Sequence, residues 1–400
     1  MIKETMTSEE RILAAINLEP YDRVPVVPHL NGEFPFRQKG LATAEVYKME
    51  NLPKIMEYSA DLYDEVGGWD GLTMPLGGGL LFSPALMSIF AVLYGDTMKF
   101  PGGDDRLSEV ESTPQYAERV LITPDHFDEI IEQGWSDFSI KNMHLLTDTF
   151  FGIPLNALSS TDIQTAMRDS YLQCLDFWAK KKVPLLSATT TIDPQMMLSM
   201  LRTLTEFTLD LYRCPEKVHQ VLKSISKDFA KGTIEAMAHG GPAPISKIPG
   251  VMMACERGSG TYFNLGLYEK YIWPFMKEQI LSNWENGYVT TLHMDTDWTL
   301  NLPYLLELPA KSCIVELDST SNIFKAKEIL GKHMCIMGDI PPSLSSHGTP
   351  EEMRAYCEQL IKVVGKDTGF ILSTGCAVPP NTKLENFKVM IDSVKTCPPG

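Results

Sequence analysis

In the second half of this 400-residue chain, four short apolar runs each end on a residue able to bind a metal ion or move a proton. Val251-Met252-Met253-Ala254 leads to Glu256, and Tyr288-Val289-Thr290-Thr291-Leu292 leads to His293 and Asp295. Cys313-Ile314-Val315-Glu316-Leu317 leads to Asp318, and Phe370-Ile371-Leu372 leads to Cys376. Continuous apolar runs of this length suit strands buried on both faces. The stretches between them have helical spacing, so strand and helix alternate as in parallel βα units. Closed on itself, such a sheet is a (β/α)8 TIM-like barrel of the α/β class. Its active site lies at the C-terminal ends of the strands, where these residues stand.

No low-complexity linker or long charge run divides it, so one domain is expected over residues 1–400, with a helical and loop extension over 1–60 and the barrel over 61–395. Thr7 and Glu10 form a capping box for a first helix, whose stripe is Ile12, Leu13 and Ile16 and which stops before Pro20. Asp22-Arg23-Val24-Pro25-Val26-Val27-Pro28 is a polar turn entering an extended piece, either an early barrel strand or a lid. Val183-Pro184-Leu185-Leu186-Ser187-Ala188 reads as a further buried strand, and helices are expected over 215–239 and 267–286. Glycines and prolines crowd residues 64–105, including Gly77-Gly78-Gly79, with Trp69, Phe82, Phe90 and Tyr94 among them as candidate pocket walls. None of these stretches matches a nucleotide-binding fingerprint, and turn-making is the simpler role for the glycines.

Composition removes several classes of function. A formal net charge of −16 argues against a polyanionic partner, so no nucleic acid is expected. No run of about 18 apolar residues exists to span a bilayer. The eight cysteines form no C-x-x-C pair and the N-terminus starts no apolar signal segment, which points to a reducing cytoplasm.

The chemistry centres on three residues. In an extended segment, residues two apart point the same way, so His293 and Asp295 aim at one ion while Met294 faces away. Cys376 follows Gly375 in a tight turn after the last strand, and nitrogen, oxygen and sulfur donors together suit zinc. Taken singly, a buried cysteine or histidine is more often structural than a ligand.

Several segments carry a resemblance to the uroporphyrinogen decarboxylase superfamily over nearly the whole chain. They are Glu10-Arg11-Ile12-Leu13-Ala14-Ala15-Ile16-Asn17 with Asp22-Arg23-Val24-Pro25-Val26, then Gly338-Asp339-Ile340-Pro341, Gly348-Thr349-Pro350-Glu351-Glu352, Gly375-Cys376-Ala377-Val378-Pro379 and Glu385-Asn386. The resemblance implies a TIM-like barrel and, in its corrinoid-dependent methyltransferase branch, a zinc ion held by an H-x-C pair and the cysteine of a final G-C turn. Those positions are His293, Asp295 and Cys376 here, with Asp295 standing where thiol-methylating members carry cysteine. Glu256 lies where relatives have an acidic residue, which makes it a fourth ligand or a general acid; a partner for Arg257 or Lys270 is the plainer alternative. Asp318 and Asp339 are candidates to orient ligands, for instance by accepting a bond from His293, or else cap helices.

The family's decarboxylases resemble the chain less at their binding groups. Their M-R-Q-A-G-R motif is Phe36-Arg37-Gln38-Lys39-Gly40 here, which keeps one arginine, and their F-S-D-I-type aspartate gives way to Leu72-Thr73-Met74-Pro75. With Asp295 making the donor set harder, the resemblance points to the methyltransferase component of anaerobic O-demethylases. Such a protein passes the methyl group of a methoxylated aromatic to the Co(I) centre of a separate corrinoid protein, since no cobalamin-binding D-x-H-x-x-G segment is present. Glu256, His293 and Asp295 are then the expected catalytic residues, and Phe36, Trp69, Tyr94 and Trp298 the expected aromatic walls. The alternatives are a methylcorrinoid:thiol methyltransferase, a uroporphyrinogen-like decarboxylase and a non-catalytic tetrapyrrole- or corrinoid-binding module.

Overall fold

The four apolar runs of the second half all become strands of one parallel sheet. The structure is a computed structural model that describes residues 1–74, 83, 86–103, 107–150, 153–154, 160–240, 248 and 250–400. Two short antiparallel hairpins come first, β1 (Met98–Lys99) with β2 (Gln115–Tyr116) and β3 (Thr149–Phe150) with β4 (Ile153–Pro154). The main sheet holds six strands in sequence order: β5 (Thr189–Ile192), β6 (Gly250–Ala254), β7 (Val289–Met294), β8 (Cys313–Leu317), β9 (Cys335–Ile340) and β10 (Phe370–Thr374). Every neighbouring pair is parallel.

Backbone bonds from two short extended segments join the outer strands of this sheet. Val27 N donates to Leu372 O and Leu372 N to Pro25 O, both at 2.9 Å, so residues 24–27 lie along β10. Asp70 N donates to Val26 O at 2.8 Å, Leu72 N to Pro184 O at 3.0 Å and Leu186 N to Leu72 O at 2.8 Å, which carries the ring into the segment that becomes β5. Six strands and two bridging segments therefore make the wall of a (β/α)8 TIM-like barrel.

The period-two alternation of a strand sorts its side chains between the inside and outside of this wall. Ile314, Met337, Ile371, Val27 and Leu186 form an inner cluster, into which Ile12, Ala15 and Ile16 of the helix Ser8–Ile16 insert. Leu292, Met294, Val315, Leu317 and Leu372 belong to the larger cluster shared with the surrounding helices. That first helix opens with Thr7 Oγ1 accepting from Glu10 N and the Glu10 carboxylate accepting from Thr7 N, the capping box read from the sequence.

The Asp22-Arg23 pair has a structural role. Arg11, 1% exposed, donates to Asp22 and to Asp70, and Arg23 donates twice to Asp70. Asp70 also accepts from Val26 N at 2.8 Å, so one buried carboxylate ties together the two segments that complete the ring.

Three sequence boundaries shift. Residues 24–27 are wall, not lid, so the wall begins inside the stretch read as an extension over 1–60. The strand expected at 183–188 bonds Leu72 but takes regular pairing only at Thr189–Ile192, whose three threonines mask it as polar. The helix expected over 267–286 is two, Leu265–Tyr271 and Trp273–Glu285, because Pro274 lacks the N–H needed for a continuous ladder and sits instead in a new first turn. Gly77-Gly78-Gly79 and Phe82, expected as pocket walls, lie outside the described residues. Among the described residues no helix is long and apolar enough to cross a membrane.

Candidate metal centre

Register places the first two members of the site. His293 on β7 pairs with Glu316 on β8. Registered neighbours in a parallel sheet point to the same side, so Glu316 meets the imidazole: Nδ1 of His293 lies 2.9 Å from Glu316 Oε2. Glu316 is fully buried, and its other oxygen, Oε1, lies 3.1 Å from Nδ1 of His29, which follows the wall segment 24–27. Burial alone would raise the Glu316 carboxyl, but the charges and hydrogen bonds of His293 and His29 hold it well below the usual carboxylate range. An ionised carboxylate only accepts, so both Nδ1 atoms carry the proton and donate.

That tautomer leaves Nε2 of His293 facing the strand ends. It lies 3.4 Å from Asp295 Oδ1 and 3.7 Å from Cys376 Sγ, and Cys376 Sγ lies 4.0 Å from Asp295 Oδ2. The three donors thus meet at one point from two distant strands. Ligands held at about 2.0–2.3 Å around a tetrahedral ion stand about 3.3–3.8 Å from one another. The observed separations lie close to that range, and among the described residues Asp295 Oδ1 is a buried oxygen with no hydrogen-bond partner. The donor set therefore fits zinc, with Glu316 in the place of the carboxylate that orients a ligating histidine. Without a metal, burial works against charging His293, while Glu316 and Cys376 push its pKa well up; burial, opposed by His293, raises that of Asp295.

The loops that carry the donors are held from behind. Gly375 precedes Cys376 where any Cβ would meet Ser319 N at 3.0 Å and Asp318 Cα at 3.1 Å, so the turn needs glycine for close approach. Thr296, just after Asp295, has φ 73°, and Asp318 Oδ2 stabilises that left-handed turn by accepting from Thr296 N at 2.8 Å. Asp318 thus shapes the Asp295 loop and does not receive the His293 proton; that role belongs to Glu316. Asp339 accepts from Tyr356 Oη at 2.8 Å, and burial pushes it up to about 7.

Glu256, read as a fourth ligand, follows β6 and feels the charges of Asp295 and His293, but its carboxylate is not among the donors that lie within 4.8 Å of one another. Burial, and then the Asp295 charge, raise its pKa, against lowering from His293 and Arg257. Arg257 itself bonds Glu118 and stacks over Tyr116, and Lys270 sits over the Tyr271 ring, so neither forms an ion pair with Glu256.

The aromatic walls expected from the sequence are corrected. Trp298, fully buried, donates Nε1–H to Asp295 O at 2.8 Å and so braces the ligand loop. Trp69 packs among Tyr63, Trp178 and Phe387, and Phe36 sits edge-on to Tyr58 in the core. Tyr94 stacks on Phe90. Trp298, Trp69 and Phe36 are buried, whereas Tyr94 is half-buried against the core. A cleft of about 710 Å³ lies elsewhere, walled by Tyr47, Lys99, Phe100 and Arg119 among others.

A family model described as uroporphyrinogen decarboxylase (URO-D) matches residues 171–397, more than half of the chain. The uroporphyrinogen decarboxylase of Chlorobium phaeovibrioides is 24% identical over 195 residues, covering 46% of this chain and 50% of that protein. That of Pseudoalteromonas translucida is 32% identical over 80 residues, 20% of this chain and 22% of that one. The chain therefore spans half or less of the length of these relatives in the matched regions. Among solved structures, a methyltransferase from Methanosarcina mazei has the same fold, with a TM-score of 0.65 at 16% identity over 98% of this chain and 99% of that one.

Proposed function

This chain belongs to the uroporphyrinogen decarboxylase family, and we propose that within it the chain is a zinc-dependent methyltransferase that moves the methyl group of a methoxylated aromatic to the Co(I) centre of a corrinoid protein. The observation that carries the reading is the convergence of His293 Nε2, Asp295 and Cys376 Sγ at the strand ends, with His293 fixed by Glu316. His293, Asp295 and Cys376 would hold the ion, with Glu256 near enough to share their field. When bound, zinc supplies Lewis acidity at the ether oxygen.

The chain's own residues do the rest. Glu316 keeps the Nδ1 proton of His293 away from the donor face, so the Nε2 lone pair stays directed at the site. The C–O bond breaks with its electron pair remaining on oxygen, the methyl carbon bonds to reduced cobalt, and Glu256 is the acid that gives that oxygen its proton.

The family's name favours decarboxylation as a second reading. Arg37, the arginine kept from the decarboxylase motif, directs its guanidinium to Leu41 O and Glu111, which counts against a role in holding substrate carboxylates. Anaerobic incubation with a reduced corrinoid and a panel of methoxyarenes tests the proposal: the absorbance of methylcobalt should appear with at least one donor. No methyl transfer from any donor, together with methylation of added thiols or decarboxylation of uroporphyrinogen, would reject it.

A further inference from the structure

Glu316 is one buried carboxylate shared between two imidazoles, and only one of them belongs to the donor trio. His29 is 4% exposed, and its ring centroid lies 5.0 Å from that of His293, tilted by 59°. Its main chain is fixed on both sides, with N donating to Thr374 Oγ1 at 3.3 Å and O accepting from Val378 N at 2.8 Å. Those contacts tie it to the end of β10 and to the turn that carries Cys376.

Were His293 the sole donor, Glu316 Oε1 would be a buried charged acceptor without a partner, and the carboxylate could turn about its last bond. The 3.1 Å bond from His29 Nδ1 occupies that oxygen and fixes the carboxylate plane. We infer that His29 is a positioning residue of the metal centre: by holding Glu316 from the far side, it sets the orientation of His293 without touching the ion. This rests on the zinc reading above and extends it to a residue contributed by the N-terminal wall segment, which lies outside the matched family region 171–397.

Three features follow from this role. His29→Phe keeps a buried ring but removes the donor, and should weaken zinc binding about tenfold, the lower end of what loss of an orienting partner costs. His29→Asn places an amide N–H near the position of Nδ1 and should recover most of that loss. Because His29 acts through Glu316, the double variant His29→Phe/Glu316→Gln should bind zinc no more weakly than Glu316→Gln alone.

The experiment is zinc competition against a chromophoric chelator for the wild type and these four variants under anaerobic conditions. Visible spectra of the cobalt(II)-substituted proteins run alongside, and circular dichroism checks that each variant is folded. A shifted cobalt spectrum in His29→Phe that returns in His29→Asn, with the non-additive double variant, is the expected result. Wild-type zinc affinity and spectrum in His29→Phe would overturn the inference, and so would a loss that adds fully to that of Glu316→Gln or that His29→Asn does not relieve. A wild type that binds no zinc would overturn the metal reading itself, which separates the two failures.

Discussion

Replacing Glu316 by glutamine removes the group on which the donor geometry turns. In the native site both oxygens accept, at 2.9 Å from His293 and 3.1 Å from His29, in full burial. Glutamine offers one oxygen and one N–H₂, so one imidazole keeps an acceptor while the other meets a donor. The second ring must then move its proton to Nε2 or lose the bond. If that ring is His293, its lone pair leaves the face shared with Asp295 and Cys376. The loss of one charge-assisted hydrogen bond is about 1.5–3 kcal/mol. Removing the partner of a ligating histidine typically weakens metal binding about 10–100-fold, which is about 1.4–2.8 kcal/mol. The two scales agree. Chelator competition at neutral pH should therefore show zinc held at least about tenfold more weakly, and urea melts of the metal-free protein should show a lower midpoint. A variant that matches the wild type in both assays would refute the geometry argued here.

Three further outcomes follow. Asp193, fully buried, accepts from Gln195 N with Oδ1 while Oδ2 has no hydrogen-bond partner among the described residues, and burial pushes its pKa up to about 7. Its folded pKa exceeds the unfolded value, so the native state binds the extra proton and stability falls as pH rises from about 4 to 7; Asp193→Asn keeps the helix cap without that dependence, and unfolding free energies from urea melts across the window should diverge in its favour by up to about 4 kcal/mol. Asp70→Asn leaves Arg11 and Arg23 buried beside a neutral group and should cost about 3–5 kcal/mol in denaturant melts, with no loss if the network is dispensable. Asp295→Cys makes the donor set richer in thiolate; zinc should be retained while methyl transfer from methoxyarenes drops about tenfold or more, and unchanged ether cleavage would dismiss a special role for the aspartate.

Much of this fold was legible because burial on both faces leaves strands as uninterrupted apolar runs. β6, β7, β8 and β10 follow such runs, whereas β5, with Thr189-Thr190-Thr191, hid behind hydroxyls that the buried wall tolerates. The H-x-D spacing and the G-C turn brought the donor trio together correctly, since strand geometry and a close-approach glycine are local properties. Glu316 was missed although its signal was present: it is the lone charged residue inside an otherwise apolar strand. His29 was harder to find, because its importance depends on a ring closure between residues 24–27 and β10 that no local pattern announces. The aromatic residues were ambiguous for the opposite reason, as ring size marks a residue for burial long before it marks it for a ligand.

Zinc content in protein purified without oxygen, measured by elemental analysis after exhaustive dialysis on the wild type and on His293→Ala, tests the central claim most directly. The account predicts about one tightly held zinc per chain, lost in the variant. A metal-free wild type, or a variant that keeps its full zinc, would contradict it.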